Sequence, residues 1–201
     1  MNYNFSEDLK SMFVGTEKMA LRGIKMEHTR VTRKQKDYRL VVELMLTAFP
    51  PEERIPIWVL NLLSKKRNVN FHAWYDNGEF CGITYTIESE KMIFLLYFAV
   101  TAQQRSKGYG SRIIHELKQI AGDREIILNV EKPDQSAKNN TQRVQRITFY
   151  EKNGFYQSGF DLRIEGTDYL VFSTNVVSDR KEFSNILKKY HIGKIQMPDM
   201  K

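Results

Sequence analysis

Apolar and polar positions alternate with a helical period over residues 34–49. The apolar positions recur at three- and four-residue steps and predict one helix, which the Pro50-Pro51 pair ends. A second helix is predicted to begin at Pro51, because the following Glu52 and Glu53 favour the positive end of a helix dipole. Its predicted apolar stripe contains Trp58 and Leu62, so we expect Trp58 in the core.

The rest of the chain predicts a sheet with interspersed helices. Residues 92–100 are continuously apolar, which is typical of a strand buried on both faces. Further strands are predicted at 24–31, 70–76, 80–88, 125–130, 155–164 and 169–175, and further helices at 110–122, 141–153 and 179–190. The order β-α-α-β-β-β-α-β-α-β-β predicts an α+β fold with a mixed sheet rather than a regular βαβ repeat.

One domain accounts for most of the 201 residues. We place it at 24–175, preceded by an N-terminal arm at 1–23 and followed by a C-terminal helix and tail at 176–201. The hydrophobic fraction of 41% and the charged fraction of 27% are ordinary for a globular protein and exclude a collagen-like or disordered chain. The longest apolar run, at 92–100, is too short to span a bilayer, and no secretory signal is visible. We therefore expect a cytoplasmic protein with no membrane partner.

Charge and cysteine content narrow the chemistry further. The net charge of +7 favours anionic partners, but no nucleic-acid-binding motif accompanies it, so no nucleic acid is predicted as a partner. The single cysteine, Cys81, excludes an internal disulfide and a cysteine-cluster zinc site. The four histidines lack metal-ligand spacing, and no metal is predicted.

The segment 98–111 carries the clearest chemical signal. A buried strand leads into a turn with Gly108 and Gly110, and the turn opens a helix. Glycine permits close approach of a ligand to the backbone, and the first amides of a helix have no internal partner, so together they favour phosphate oxygens. Arg105 and Lys107 add positive charge. The alternative is a tight strand-to-helix connection without a ligand, and Ile113 excludes the dinucleotide fingerprint.

Two motifs resemble those of the GNAT family of N-acetyltransferases. The segment 104–110, Gln-Arg-Ser-Lys-Gly-Tyr-Gly, resembles the family's Arg/Gln-x-x-Gly-x-Gly/Ala signature. The segment 149–155 resembles its second signature, Tyr-x-x-x-Gly-Phe at a helix end. The order of elements over 24–175 is also similar, and 48–54 is more loosely similar to the first-helix region of some small-amine acetyltransferases.

The resemblance implies direct transfer of acetyl from acetyl-CoA to a primary amine, without an acyl-enzyme. Two neighbouring parallel strands, 92–100 and 125–131, would splay apart and take the pantetheine arm between them. The implied contacts with acetyl-CoA are Phe98, Ala99, Val100, Arg105, Ser106, Lys107, Gly108, Tyr109, Gly110 and Ser111. The acceptor would be a small molecule or a peptide amine, and a homodimer is compatible with the family.

Further roles follow from the resemblance together with the chemistry of amines. A free alkyl amine is mostly protonated at neutral pH, so attack requires a base or a water path. Tyr150 matches the family's position for the acid that protonates the thiolate, and the base is left open between Glu131 and Glu53. Arg143 stands where many relatives have an asparagine that contacts the cofactor, and the preceding Asn139 and Asn140 are candidates to make that contact instead. The alternative is that Arg143 and Arg146 approach the phosphates of CoA.

One departure from the family keeps a second function open. Some relatives carry histidines on the central strand, where this chain has Phe94 and Leu96. The alternative is therefore a sensor or scaffold that binds CoA on a degenerate acetyltransferase fold.

Overall fold

The chain forms an eight-stranded mixed sheet with helices on both faces. The computed structural model describes residues 25–164 and 166–190 and the strand at 195–196. The strands are β1 (Glu27–Arg30), β2 (Val69–Asp76), β3 (Glu79–Glu88), β4 (Met92–Val100), β5 (Glu125–Glu131), β6 (Tyr156–Ile164), β7 (Thr167–Ser173) and β8 (Ile195–Gln196). The helices are α1 (Tyr38–Ala48), α2 (Ile57–Leu63), α3 (Tyr109–Ala121), α4 (Asn140–Lys152) and α5 (Arg180–Tyr190), with 3₁₀ turns at Pro51–Glu53 and Ala102–Gln104.

The strand order is β1-β2-β3-β4-β5-β7-β6-β8. Only β4 and β5 run parallel, and every other neighbouring pair is antiparallel. The predicted α+β class and order of elements are confirmed, and β8 is an addition that the sequence pattern did not indicate. The predicted arm at 1–23 lies outside the described residues.

The predicted second helix begins later than expected. Only a 3₁₀ turn forms at Pro51–Glu53, and α2 begins at Ile57 after Pro56. A residue that precedes proline is disfavoured in the helical region, and Ile55 precedes Pro56. The helix therefore restarts behind the proline, with Leu60 as its buried residue.

Two apolar layers cover the sheet. On the first face, α1, α2 and α5 pack against a cluster that includes Phe94 and Tyr97. On the second face, α3 and α4 pack against a cluster that includes Ile93 and Leu95. Phe183 of α5 meets Phe94 with ring centroids 5.1 Å apart, so the C-terminal helix belongs to the same core as the sheet.

The expectation that Trp58 lies in the core is wrong. Its side chain is 59% exposed, and Leu62, one turn along α2, is 55% exposed. The buried side of α2 is formed instead by Leu60, which is fully buried, with Ile57 and Leu63 packed against the same core. These three residues recur at three-residue steps, and because nearly every position of α2 is apolar, the sequence pattern does not distinguish this stripe from that of Trp58 and Leu62.

Candidate active site

β4 and β5 separate before either strand ends. Their parallel pairing runs only from Met92 opposite Glu125 to Phe94 opposite Ile127. β4 nevertheless continues to Val100 and β5 to Glu131, and β4 carries an irregularity where its pairing with β3 skips a residue. The ends of the two strands therefore border an opening in the middle of the sheet.

Backbone polar groups face this opening from both sides. Thr101 donates its amide to the carbonyl of Cys81 on β3, so by alternation Phe98 and Val100 direct their backbone groups away from β3. On the opposite side, Lys132 donates to the carbonyl of Asp168, so Glu131 directs its backbone groups away from β7. An extended ligand in the opening would find hydrogen-bonding partners on two strand edges.

The turn after β4 exposes a run of unpaired amides. Residues Ser106 to Ser111 donate their amides to no acceptor among the described residues, and the first bond of the helix runs from Arg112 to the Gly108 carbonyl. Ser106 has φ 60° and Gly108 has φ 82°, a left-handed conformation that favours glycine. We call residues 106–111 the amide cradle. It combines six free donors with the positive end of α3.

Two basic side chains flank the amide cradle. Arg105 and Lys107 are both exposed. Arg105 folds back so that its Nε donates to the carbonyl of Val100 at 3.4 Å, and it therefore lies between the amide cradle and the end of β4.

Gly110 allows α3 to pack closely against α4. A Cβ at this position would lie 3.1 Å from the ring of Phe149. The Phe149 ring in turn stacks on Phe98 of β4, with centroids 6.0 Å apart. The second glycine of the motif thus allows the two helices and the end of β4 to meet closely.

An acidic side chain fixes the start of α3. Asp76, at the end of β2, accepts two hydrogen bonds from Arg112, at 2.9 and 3.0 Å, and one from the hydroxyl of Tyr109 at 2.9 Å. The Arg112 guanidinium holds the pKa of Asp76 below its usual range, and the Tyr109 hydrogen bond acts in the same direction. Sequence reasoning missed Asp76, because only the fold brings the β2 hairpin beside the amide cradle.

Tyr150 lies on α4 at the second face of the sheet. Its ring packs edge-on against Phe149 and Phe155, and no described residue is hydrogen-bonded to its hydroxyl. Burial raises the pKa of Tyr150 to about 12, and the positive charge of Arg146 partly opposes that rise. The hydroxyl therefore stays protonated at neutral pH.

Glu131 and Arg143, predicted for separate roles, form an ion pair with each other. Arg143 meets one oxygen of the buried Glu131 carboxylate at 2.6 Å, and Arg146 lies 3.8 Å from the other oxygen. Arg143 also donates to the side chain of Asn139 and to the carbonyl of Lys132. The Glu131 carboxylate and the Arg143 guanidinium therefore both have partners within the protein.

Asn140, the other predicted cofactor contact on α4, shapes the preceding loop. Its side-chain oxygen accepts the amide of Asp134 at 2.8 Å. The neighbouring Asn139 donates to Glu131 at 3.3 Å, so both asparagines are engaged at the beginning of α4. Their predicted contact with acetyl-CoA stays a prediction.

Glu53 is positioned by a tyrosine of the central strand. The Tyr97 hydroxyl donates to the carbonyl of Glu53 at 2.7 Å and accepts the amide of Ile55 at 2.9 Å. Burial raises the pKa of Tyr97; the hydrogen bond from the Ile55 amide opposes that rise, and the charge of Glu53 adds to it. Burial also raises the pKa of Tyr169, and the charges of Glu53 and Glu131 act in the same direction.

Tyr97 and Tyr169 were not singled out from the sequence. Tyr97 stands inside an apolar run, where its hydroxyl is the only polar side-chain group of β4, and that was a usable signal. Tyr169 faces Glu131 across the β5–β7 pair, which only the strand register reveals. We call Glu53, Tyr97, Glu131 and Tyr169 the carboxylate–tyrosine cluster.

Within the described part of the chain, no group of three or more histidine, cysteine, aspartate or glutamate side chains is arranged to hold a metal ion. No helix there has both the length and the apolar character needed to cross a membrane.

Comparisons with known proteins agree with this architecture. Residues 67–157 match the family model of the acetyltransferase (GNAT) domain. A GNAT-family putative acetyltransferase from Bacteroides thetaiotaomicron superposes with a TM-score of 0.67 at 22% identity, over 82% of this chain and 96% of that one. Arabidopsis thaliana Naa50, solved with the bisubstrate analogue CoA-Ac-MVNAL, gives a TM-score of 0.54 at 20% identity, over 76% and 99% of the two chains.

An aminoglycoside 6'-N-acetyltransferase complexed with coenzyme A gives a TM-score of 0.57 at 15% identity, over 76% of this chain and 98% of that one. No curated protein matches the sequence significantly. The strand opening, the amide cradle and these matches define the fold of the GNAT acetyltransferases. The domain match over residues 67–157 agrees with the resemblance that the two sequence motifs indicated.

Proposed function

We propose that the protein transfers the acetyl group of acetyl-CoA to a primary amine by direct attack within a ternary complex. The observation that carries the proposal is the amide cradle, whose six free donors adjoin the opening between β4 and β5. The cradle would hold the diphosphate with Arg105 and Lys107, and the backbone of residues 98–100 would pair with the pantetheine arm. Acetyl-CoA supplies a thioester, whose acetyl carbon takes the amine and whose sulfur leaves as a thiolate.

Of the two candidate bases we favour Glu53, whose backbone is anchored to the central strand by Tyr97. The oxygens of Glu131 are engaged by Arg143 and Arg146, so Glu131 would have to give up ion pairs before it accepted a proton. Glu53 lies in a turn held by Tyr97, on the face of the sheet away from Tyr150. The amine would thus lose its proton on one face and the thiolate would be stabilised from the other. Glu131 would then orient α4 through the two arginines.

Tyr150 would act on the departing sulfur chiefly as a hydrogen-bond donor. A thiol has a pKa of about 8.5 and Tyr150 has a pKa of about 12, so the thiolate is a weaker base than the tyrosinate. Complete transfer of the Tyr150 proton to the sulfur is therefore uphill by roughly 3 to 4 pKa units, or roughly 5 kcal/mol. A donated hydrogen bond stabilises the developing charge without that cost. The proton released by the amine then reaches the sulfur through Glu53 or solvent.

The acceptor class remains a small molecule or a peptide amine. The structurally similar proteins include one solved with a peptide bisubstrate analogue and one named for an aminoglycoside, so the fold takes both kinds. A cytoplasmic location and homodimer formation are part of the proposal.

Calorimetric titration with acetyl-CoA tests the cofactor site. We expect saturable heat and a rise in melting temperature, both lost in Gly110→Val, because the new side chain would meet Phe149 and displace the start of α3. Circular dichroism separates loss of the site from loss of the fold. Absence of heat and of a melting shift with the wild-type protein would contradict the proposal.

Release of CoA thiol across a panel of amines tests the reaction itself. The panel would include a polyamine, an aminoglycoside, amino acids and peptides with free N-termini. Thiol release that depends on one amine class supports the transferase. Acetyl-CoA binding with no release by any amine would favour the sensor or scaffold alternative.

A further inference from the structure

A surface groove of about 500 Å³ lies between α2 and the segment that follows β1. Its apolar part includes Val31, Trp58 and Leu62, and its basic part consists of Arg30, Arg33 and Lys65. Among the described residues that line it, none is an aspartate or a glutamate. We call it the tryptophan groove. β1 lies three strands from β4 in the sheet, or about 14 Å at the usual strand spacing, and no residue of the proposed active site lines the groove.

The apolar part of the tryptophan groove joins two exposed apolar side chains on one side of α2. Trp58 and Leu62 are separated by one helical turn, so they form a continuous apolar strip on α2. Both side chains are more than half exposed, whereas Leu60 on the opposite side of the helix is fully buried. Tryptophan and arginine are the residues most enriched where proteins bind one another.

The charges of the groove define the chemistry of its occupant. Arg30 is fixed by hydrogen bonds from its Nη2 to the carbonyl of Val69 at 2.8 Å and to the side chain of Asn70 at 3.0 Å. Arg33 and Lys65 are exposed. An apolar floor beside three cations fits an apolar side chain flanked by carboxylates. The net charge of +7 further draws an anionic partner to the surface.

A peptide fits this groove better than a nucleic acid does. Single-stranded nucleic acid is bound by several aromatic platforms along a cationic track, whereas one aromatic residue lines the groove beside aliphatic side chains. We propose that the tryptophan groove binds an acidic peptide segment of a partner protein, with a leucine or phenylalanine on Trp58 and Leu62 and with aspartate or glutamate against the basic residues. This binding is independent of the proposed acetyl transfer.

The two tryptophans of the chain make the proposal directly measurable. Trp58 is 59% exposed and Trp74 is fully buried, so iodide should quench Trp58 selectively. The probe is a blocked synthetic peptide of sequence EDELFED, added to the full-length protein. We expect saturable shielding of Trp58 from iodide, and binding about tenfold weaker or worse in Lys65→Glu and in Leu62→Asp, both at exposed positions.

Matched controls separate this site from general charge attraction. Lys181→Glu makes the same charge change at an exposed position on α5 and should leave peptide binding unaltered. A peptide in which serine replaces the leucine and phenylalanine should bind far more weakly. Titration with acetyl-CoA should be the same in all three variants, which shows that each is folded.

Four outcomes would overturn the proposal. They are the absence of saturable shielding, equal binding of the serine peptide, and tighter binding of a short oligouridine than of EDELFED. The fourth is a Trp58 that is already shielded from iodide in the protein alone. If Trp58 is shielded in the protein alone and the shielding persists on dilution, another part of this chain occupies the groove. If that shielding is lost on dilution, a second copy of the chain occupies it.

Discussion

The amide cradle and the carboxylate–tyrosine cluster are built in opposite ways. The amide cradle consists of consecutive residues, 106–111, and it presents backbone donors to solvent. The carboxylate–tyrosine cluster collects side chains from a 3₁₀ turn and from β4, β5 and β7, and its groups are largely buried. A diphosphate is recognised by any suitably bent backbone, whereas an amine acceptor requires particular side chains. The acceptor side is therefore where proteins of one fold differ in substrate.

The two regions also differ in how their polar groups are satisfied. The amides of the amide cradle have no described acceptor, so they retain donors for a ligand. In the cluster, Tyr97 and Glu131 already have partners, which fix their geometry before any substrate arrives. Changes at the cradle should alter ligand affinity, and changes in the cluster should alter stability or turnover.

The largest expected effect on stability comes from Gly82, where β3 approaches the end of β4 closely. A Cβ at Gly82 of β3 would lie 2.4 Å from the carbonyl oxygen of Ala99, a backbone atom that cannot move without shifting the end of β4. We expect Gly82→Ala to lower the free energy of unfolding by about 3 kcal/mol in urea titrations and to weaken acetyl-CoA binding.

Gly78→Ala is the matched control for that change. Gly78 has φ 78° but open space around its Cβ position, so only the backbone strain of about 1 kcal/mol is expected, with unchanged acetyl-CoA affinity. Equal losses in Gly82→Ala and Gly78→Ala would show that the close approach of β3 and β4 does not matter.

Glutamine substitutions of the two candidate bases, Glu131 and Glu53, should differ in whether they lower the free energy of unfolding or the rate of thiol release. Glu131→Gln leaves the guanidinium of Arg143, which is only 15% exposed, without its carboxylate, so a loss of about 2 kcal/mol in unfolding free energy is expected. Glu53→Gln should cost less stability but lower the rate of thiol release at least about tenfold. Urea titration and thiol release on both variants provide the comparison. A loss of thiol release in Glu131→Gln at unchanged stability would assign the base to Glu131 instead.

Tyr150→Phe should affect turnover alone. Phenylalanine keeps the edge-on contacts with Phe149 and Phe155, and no described residue loses a hydrogen bond, so stability and acetyl-CoA affinity should be retained. Thiol release should fall about tenfold or more because the donor to the sulfur is gone. With a pKa of about 12, Tyr150 should cause no loss of wild-type activity below about pH 11. An unchanged rate in Tyr150→Phe would remove this residue from the reaction.

Local sequence patterns are sufficient to predict the amide cradle. The strand at 92–100 was predicted with its exact bounds, and the glycines at 108 and 110 marked the bend and the start of α3 within one residue. Each of these signals depends on neighbours in the chain. The unpaired amides of the first helical turn follow from helix geometry alone, so no tertiary information is needed to expect those.

Tertiary contacts explain what the sequence did not reveal. The ion pair of Glu131 with Arg143 joins the end of β5 to α4. The hydrogen bond from Tyr97 to Glu53 joins β4 to a 3₁₀ turn that lies 44 residues earlier in the chain. Trp58 is exposed because Ile57, Leu60 and Leu63 supply the side of α2 that packs on the sheet. Such features depend on how whole helices and strands pack against one another, and a pattern of apolar positions along the chain does not predict that arrangement.

The smallest expected effect concerns the anchor that holds the amide cradle to the sheet. Because the folded state lowers the pKa of Asp76, its stabilising effect is present above the unfolded value of about 3.9 and is lost as the pH falls through the folded value. Asp76→Asn should therefore reduce unfolding free energy by about 1 kcal/mol at neutral pH, and the difference from wild type should shrink steadily as the pH falls below the unfolded value of about 3.9. Asp168→Asn is the control, because Asp168 also pairs with an arginine but on an exposed hairpin, where an ion pair contributes little. A difference at Asp76 that is the same at neutral and acidic pH would mean that packing, and not the charge on Asp76, holds α3 in place.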